Sequence, residues 1–112
     1  MKHVTFGEKA HFMGDDAADT LLEYARVISA TAEADTVTLR AISPDGNTVD
    51  ASYLLNAHSV LLVESTNSHV NPPDNDEAVQ EMRDRISAIR RPASATASDQ
   101  WDRAEQEIAE SL

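Results

Sequence analysis

The segment TVTLRAISPDGNTVDASYLLNAHSVLLVES, residues 36–65, decides the fold. It contains three runs rich in β-branched and apolar residues, at 36–43, 47–55 and 59–65. The first two runs flank Ser43-Pro44-Asp45-Gly46, and this turn sequence is typical of a type I turn whose glycine suits a following bulge. The sequence therefore predicts an antiparallel hairpin over residues 36–55.

The alternation of apolar and polar residues predicts the register of this hairpin. A three-residue loop that pairs Ser43 with Asn47 also pairs Arg40 with Asp50, which places opposite charges side by side on one face. The opposite face then carries three apolar or aromatic pairs, namely Ala41 with Val49, Leu39 with Ala51 and Val37 with Tyr53. We expect the odd-numbered side chains from 37 to 63 to face the helices.

The connection between the second and third runs has two interpretations. A two-residue loop of Asn56 and Ala57 requires positive φ at alanine and directs Glu64 into the core. A three-residue loop over 56–58 directs Leu61 inward instead, so this alternative is preferred. It makes the third run the direct neighbour of the second. The outer face then carries an apolar patch of Leu54, Val60 and Leu62.

The flanking segments predict two helices and one further strand. Residues 4–6 and 10–13 have strand character, interrupted at Gly7, where we expect a bulge or a turn. Apolar residues recur at helical spacing from about residue 15 to 32, and again from the acidic cluster at 74–77 to Pro92. The predicted order is β-α-β-β-β-α. This order indicates a two-layer α+β fold, an antiparallel sheet with both helices on one face.

The C-terminal region is predicted to be separate from this fold. Residues 91–98, RPASATAS, have the composition of a linker. We therefore divide the chain into a single α+β domain, 1–92, and a linker with an amphipathic tail helix, 93–112. The tail places Trp101, Ala104, Ile108 and Leu112 on one side. A helix of about 13 residues is marginal alone in water, so we expect the tail either to dock, on its own sheet or on a second copy, or to stay partly disordered.

Composition excludes several classes of function. The chain of 112 residues has 20 acidic and 9 basic side chains and a formal net charge of −11, which disfavours binding to nucleic acid. It has no cysteine, which excludes disulfides and thiolate chemistry. No apolar stretch reaches the length of a membrane helix or a signal peptide, so we expect a cytoplasmic protein without membrane contact.

Few residues point to chemistry. The histidines at 3, 11, 58 and 69 show no metal-binding spacing, and neither a glycine-rich phosphate loop nor a nucleophile elbow occurs. We therefore expect no catalytic residue, metal site or cofactor. One polar group remains as a candidate ligand site, because the predicted register aligns Arg40, Asp50 and Glu64 across three strands. His69 follows shortly after the third strand.

Two functional hypotheses follow. The first is a non-enzymatic interaction module that forms a homodimer through its outer sheet face and tail. Its candidate interface consists of Leu54, Val60, Leu62, Trp101 and Ile108. A separate possibility is an accessory subunit whose partner, a different protein, covers the same face. The second is a small-ligand-binding protein or enzyme that uses Arg40, Asp50, Glu64 and His69, and it requires these four side chains to converge on a pocket.

Overall fold

The computed structural model describes residues 1–90 and shows an α+β fold. The elements are β1 (Lys2–Phe6), β2 (Lys9–Met13), α1 (Asp15–Ser29), β3 (Asp35–Ile42), β4 (Thr48–Leu55), β5 (Leu61–Ser65) and α2 (Asp76–Arg90). The strands form one antiparallel sheet in the order β4-β3-β2-β1-β5. The predicted α+β class is confirmed, whereas the predicted tail, 93–112, lies outside the described residues.

The β3–β4 hairpin has the predicted register throughout. Arg40 pairs with Asp50 and Leu39 with Ala51, as the alternation requires. The backbone nitrogen of Ser43 donates to the Asn47 carbonyl at 2.8 Å, and Gly46 adopts a φ of 91°. A left-handed conformation of this kind strongly favours glycine. The turn residues and the face pattern therefore specify the same pairing.

The N-terminal segment forms a hairpin of two strands. Phe6 pairs with Lys9, which leaves Gly7 and Glu8 as a two-residue loop. Gly7 has a φ of 62°, as the tight hairpin turns that match strand twist require at their first position. Of the two sequence alternatives, the turn at Gly7 is therefore the one that forms. The sheet has five strands, and the predicted order with a single strand before α1 was wrong.

The predicted pairing of β5 with β4 was also wrong. The strand β5 lies at the opposite edge of the sheet and pairs with β1, with Val63 opposite Val4. The connection folds into a turn of its own, in which the Ser59 nitrogen donates to the Asn56 carbonyl at 3.2 Å. Pairing with β1 also aligns the inward-facing residues of β5 with Val4 and Phe6, which contribute apolar surface to the core.

The sheet curls around the core. The Phe6 ring on β1 meets the Tyr53 ring on β4 edge to face, with centroids 5.5 Å apart. Three strand spacings separate these strands, about 14 Å in a flat sheet. Only one residue pair, Phe12 with Ile42, joins β2 to β3. The two parts of the sheet therefore diverge at this point, and the inner face becomes concave.

The core lies between this concave face and the two helices. Val37, Leu39, Ala41 and Tyr53 are buried, so the predicted inward direction of the odd-numbered residues is confirmed for β3 and for the end of β4. Helix α1 packs against β1, β4, β5 and α2, while α2 also packs against β3. The remaining large buried side chains include Val4, Met13, Leu21, Leu55 and Met82.

Candidate functional site

Apolar side chains lie on the outer face of the sheet, opposite the helices. Phe12 and Ile42 face each other across β2 and β3 and are half-buried. Leu62 on β5 is 53% exposed, and Val60, which directly precedes this strand, is 72% exposed. We call these four residues the outer apolar surface. Among residues 1–90, no helix packs on this side, because the buried residues of the sheet face the other way.

One polar pair borders the outer apolar surface. His3 on β1 lies between Glu64 on β5 and Phe12 on β2 in the strand pairing. Its Nδ1 is 3.2 Å from the Glu64 Oε1, and its ring centroid is 4.8 Å from that of Phe12. The imidazole therefore continues the apolar surface through its ring and joins it to a carboxylate.

The other predicted interface residues are Leu54, Trp101 and Ile108, and none of them is part of the outer apolar surface as the structure describes it. Leu54 is exposed, but it pairs with Thr36 at the end of the β3–β4 hairpin opposite to Ile42. Six residues of strand span about 20 Å, and β5 does not pair with β4. The predicted cross-strand alignment of Leu54 with Val60 and Leu62 was therefore wrong. Trp101 and Ile108 lie outside the described residues.

The four residues of the candidate polar site do not converge. Arg40 and Asp50 form the predicted pair, with the Arg40 Nε 3.5 Å from the Asp50 Oδ1, and both side chains are more than half exposed. Glu64 is separated from β3 by β1 and β2 and contacts His3 instead. His69 is exposed in the loop after β5. The predicted row across three strands was wrong because it required β5 to lie beside β4.

Two concave regions occur at the starts of the helices. A cavity of about 590 Å³ lies between Gly14–Ala17 and the segment 72–76, and one of about 230 Å³ lies between Arg40 and the segment 74–78. Some of the carboxylates that line them contact the local backbone or a nearby positive charge. Asp74 accepts a hydrogen bond from the Asp76 nitrogen at 2.9 Å, and Asp15 lies 3.5 Å from the N-terminal amine. The acidic lining therefore matches the charge preference of helix starts.

Two further kinds of feature, metal-binding clusters and membrane-spanning helices, are absent from the described residues. Across residues 1–90, no three histidine, aspartate or glutamate side chains gather as a metal site would require. In the same part of the chain, no helix has the length and apolar character needed to cross a bilayer.

A half-buried charged cluster was missed by the sequence reasoning. The Tyr24 hydroxyl and the Arg85 guanidinium both donate to Asp35, and Arg85 also donates to Glu81 at 2.7 Å. Burial raises the pKa of Asp35, but the hydrogen bonds from Tyr24 and Thr36 and the charge of Arg85 lower it more. The spacing of Glu81 and Arg85 indicates their own contact only. The cluster connects α1 and α2 to the start of β3 and is a structural feature.

Comparisons with known proteins identify no relative, since no family model, curated protein or solved structure matches the chain. The function is therefore inferred from the sequence and the geometry of this chain.

Proposed function

We propose that this chain is a small, non-enzymatic interaction module that self-associates through its outer apolar surface. The observation that carries the proposal is the exposure of Leu62 on the same sheet face as Phe12 and Ile42, which is the face that the helices leave free. These three side chains are already partly buried, so burial of the remainder contributes on the order of 2–4 kcal/mol before the costs of association. We also propose a cytoplasmic location, since a chain without cysteine forms no disulfides and these are rare in that compartment.

A second copy is the partner that this surface fits best. The full chain carries a formal net charge of −11, so two copies repel each other unless the contact avoids acidic clusters. The outer apolar surface itself is uncharged and is bordered by the His3–Glu64 pair. In a twofold arrangement, each His3 can approach Glu64 of the other copy, which makes the surface self-complementary.

The predicted tail belongs to the same proposal. Trp101 and Ile108 are its large apolar residues, and we expect them to add buried area to the contact between copies. Deletion of residues 93–112 should then weaken self-association or reduce solubility. If the deletion changes neither the oligomeric state nor the solubility, the tail is not part of the interface.

The test is the molar mass of Leu62→Asp in solution, measured by light scattering after size exclusion. We expect the substitution to halve the mass of the assembly, because a carboxylate cannot be buried there without a large cost. The matched control is Leu22→Asp, since Leu22 is 42% exposed on α1, away from the outer face. A wild-type protein that is monomeric at high concentration contradicts the proposal, and so does an equal mass for both variants.

A further inference from the structure

The direction of the backbone groups along β4 follows from a contact on β3. Asn75 hydrogen-bonds to the nitrogen and the carbonyl oxygen of Arg40, so these groups point away from β4. Backbone groups alternate in direction along an antiparallel pair. Since Arg40 is opposite Asp50, the backbone groups of Asp50 also point away from its partner strand. The backbone groups of Thr48, Ser52 and Leu54 also point away from β3, because these residues are an even number of positions from Asp50.

Among the described residues, these groups form an unpaired sheet edge. The Leu54 carbonyl accepts a hydrogen bond from the Ser59 hydroxyl at 3.1 Å, which uses one of the two acceptor sites of this oxygen. Within residues 1–90, the backbone nitrogen and oxygen of Thr48, Asp50 and Ser52 have no hydrogen-bond partner, and all three residues are exposed. Natural proteins usually protect such edges with lysine, proline, bulges or a covering element. Asp50 is the only one of these three residues that is charged.

We propose that β4 pairs antiparallel with β4 of a second copy. The twofold axis passes beside Ala51, so that Asp50 lies opposite Ser52 of the second copy and Thr48 lies opposite Leu54. Of the antiparallel registers with paired backbone groups, this one overlaps residues 48–54 completely. A shift by one residue on each strand places the two Asp50 carboxylates opposite each other, which is unfavourable. Both the length of the edge and its charge therefore select this register.

This edge is a separate surface from the outer apolar surface. The edge and the face of one copy then bind two different neighbours, so the wild-type assembly is expected to be a dimer of dimers. One pair of short strands buries less area than a stable protein interface of standard size. We therefore expect the edge contact to be the weaker of the two and to depend on concentration.

The register is tested by substitutions at Ser52 in a Leu62→Asp background, where only the edge contact remains. Ser52→Asp places a second carboxylate opposite each Asp50, and we expect it to weaken dimerisation about tenfold in sedimentation equilibrium. Ser52→Lys places an ammonium group there and should strengthen dimerisation. Both variants lose the same hydroxyl contact to Thr38, at 2.8 Å, so their difference reports the charge alone. Equal dimerisation constants for the two variants overturn the proposal.

A control and a second measurement keep the inference separate from folding defects. Thr38→Asp adds the same charge on the same face but on β3, and should leave the dimerisation constant unchanged.

Hydrogen exchange of the Asp50 and Ser52 amides should slow as the protein concentration rises. Rates that do not depend on concentration overturn the proposal, whether the amides are unprotected or are covered by the same chain. Leu62→Asp alone tests the outer surface, so either proposal can fail while the other stands.

Discussion

The side-chain amide of Asn75 is hydrogen-bonded to both backbone groups of Arg40. Its Oδ1 accepts from the Arg40 nitrogen and its Nδ2 donates to the Arg40 carbonyl, each at 2.8 Å. Asn75 directly precedes α2, where an asparagine side chain often caps the helix. Here Asp74 accepts from the backbone nitrogen of Asp76 instead. The Asn75 side chain can therefore hydrogen-bond to the Arg40 backbone groups, which β2 leaves unpaired. This contact fixes the start of α2 to the sheet.

Replacement of Asn75 by alanine should lower the free energy of unfolding by about 1–3 kcal/mol, because two backbone groups of β3 lose their partner. Asn75→Asp should cost a similar amount, since a carboxylate cannot donate to the Arg40 carbonyl. Urea denaturation measures both changes. The control is Asn67→Ala, at an exposed position after β5. Equal stability of Asn75→Ala and the control would contradict this role.

The two buried tyrosines, Tyr24 and Tyr53, should respond in opposite ways to removal of the hydroxyl. The Tyr53 hydroxyl is buried without a hydrogen-bond partner, and burial raises its pKa to about 12. Tyr53→Phe should leave the unfolding free energy unchanged or raise it by about 1 kcal/mol, because an unsatisfied polar group is removed. The Tyr24 hydroxyl donates to Asp35. Tyr24→Phe should therefore cost about 1–3 kcal/mol. A loss of similar size in both variants contradicts this account.

The sequence predicted the β3–β4 hairpin because its information is local. The turn at Ser43–Gly46, the apolar alternation and the Arg40–Asp50 pair all favour one register, and the structure has it. The pairing of β5 depends on β1, more than fifty residues away, and no local pattern reports it. The short segment between β4 and β5 resembled a hairpin loop. It forms a turn that carries the chain to the other sheet edge.

The candidate sites failed or changed for the same reason. The predicted polar row required Glu64 on β5 to lie beside Asp50 on β4. Because β5 pairs with β1 instead, the two residues lie on opposite edges of the sheet. The prediction that Leu62 and Val60 are exposed apolar residues agrees with the structure. Phe12 joins them only because β1 and β2 lie within the sheet, next to β5 and β3. The Asp35 cluster combines three distant elements and had no signal in sequence spacing.

The conformation of Gly7 makes a prediction about the first hairpin. Its φ is 62°, and a side-chain carbon built there would have no neighbour within 4 Å. Any cost of substitution must therefore come from the backbone. Gly7→Val should lower the unfolding free energy by about 1–2 kcal/mol, whereas Gly7→Asn should cost much less, because asparagine tolerates left-handed conformations. Thermal denaturation compares the two, and equal losses would contradict the left-handed turn.

The stability of the fold should fall in acid partly through Glu23. The hydrogen bond from Arg26 lowers the pKa of Glu23 from 4.5 to about 2, against the effect of burial, and Arg90 contributes a second hydrogen bond. A carboxyl whose pKa is lower in the folded state stabilises the fold above its unfolded pKa. This contribution should be complete above about pH 5 and should disappear as the pH falls from 4.5 to about 2.

Glu23→Gln removes this titration and should flatten the fall in the urea midpoint between pH 5 and pH 2. The variant should be less stable than the wild type at pH 6, because Arg26 and Arg90 lose their shared carboxylate, and the two proteins should converge near pH 2. The size of the effect is modest, since exposed ion pairs are screened by water. Glu33→Gln is the control at an exposed glutamate beyond α1. A wild-type acid response in Glu23→Gln would assign the acid sensitivity to other carboxylates, such as Asp35, whose pKa is also lowered.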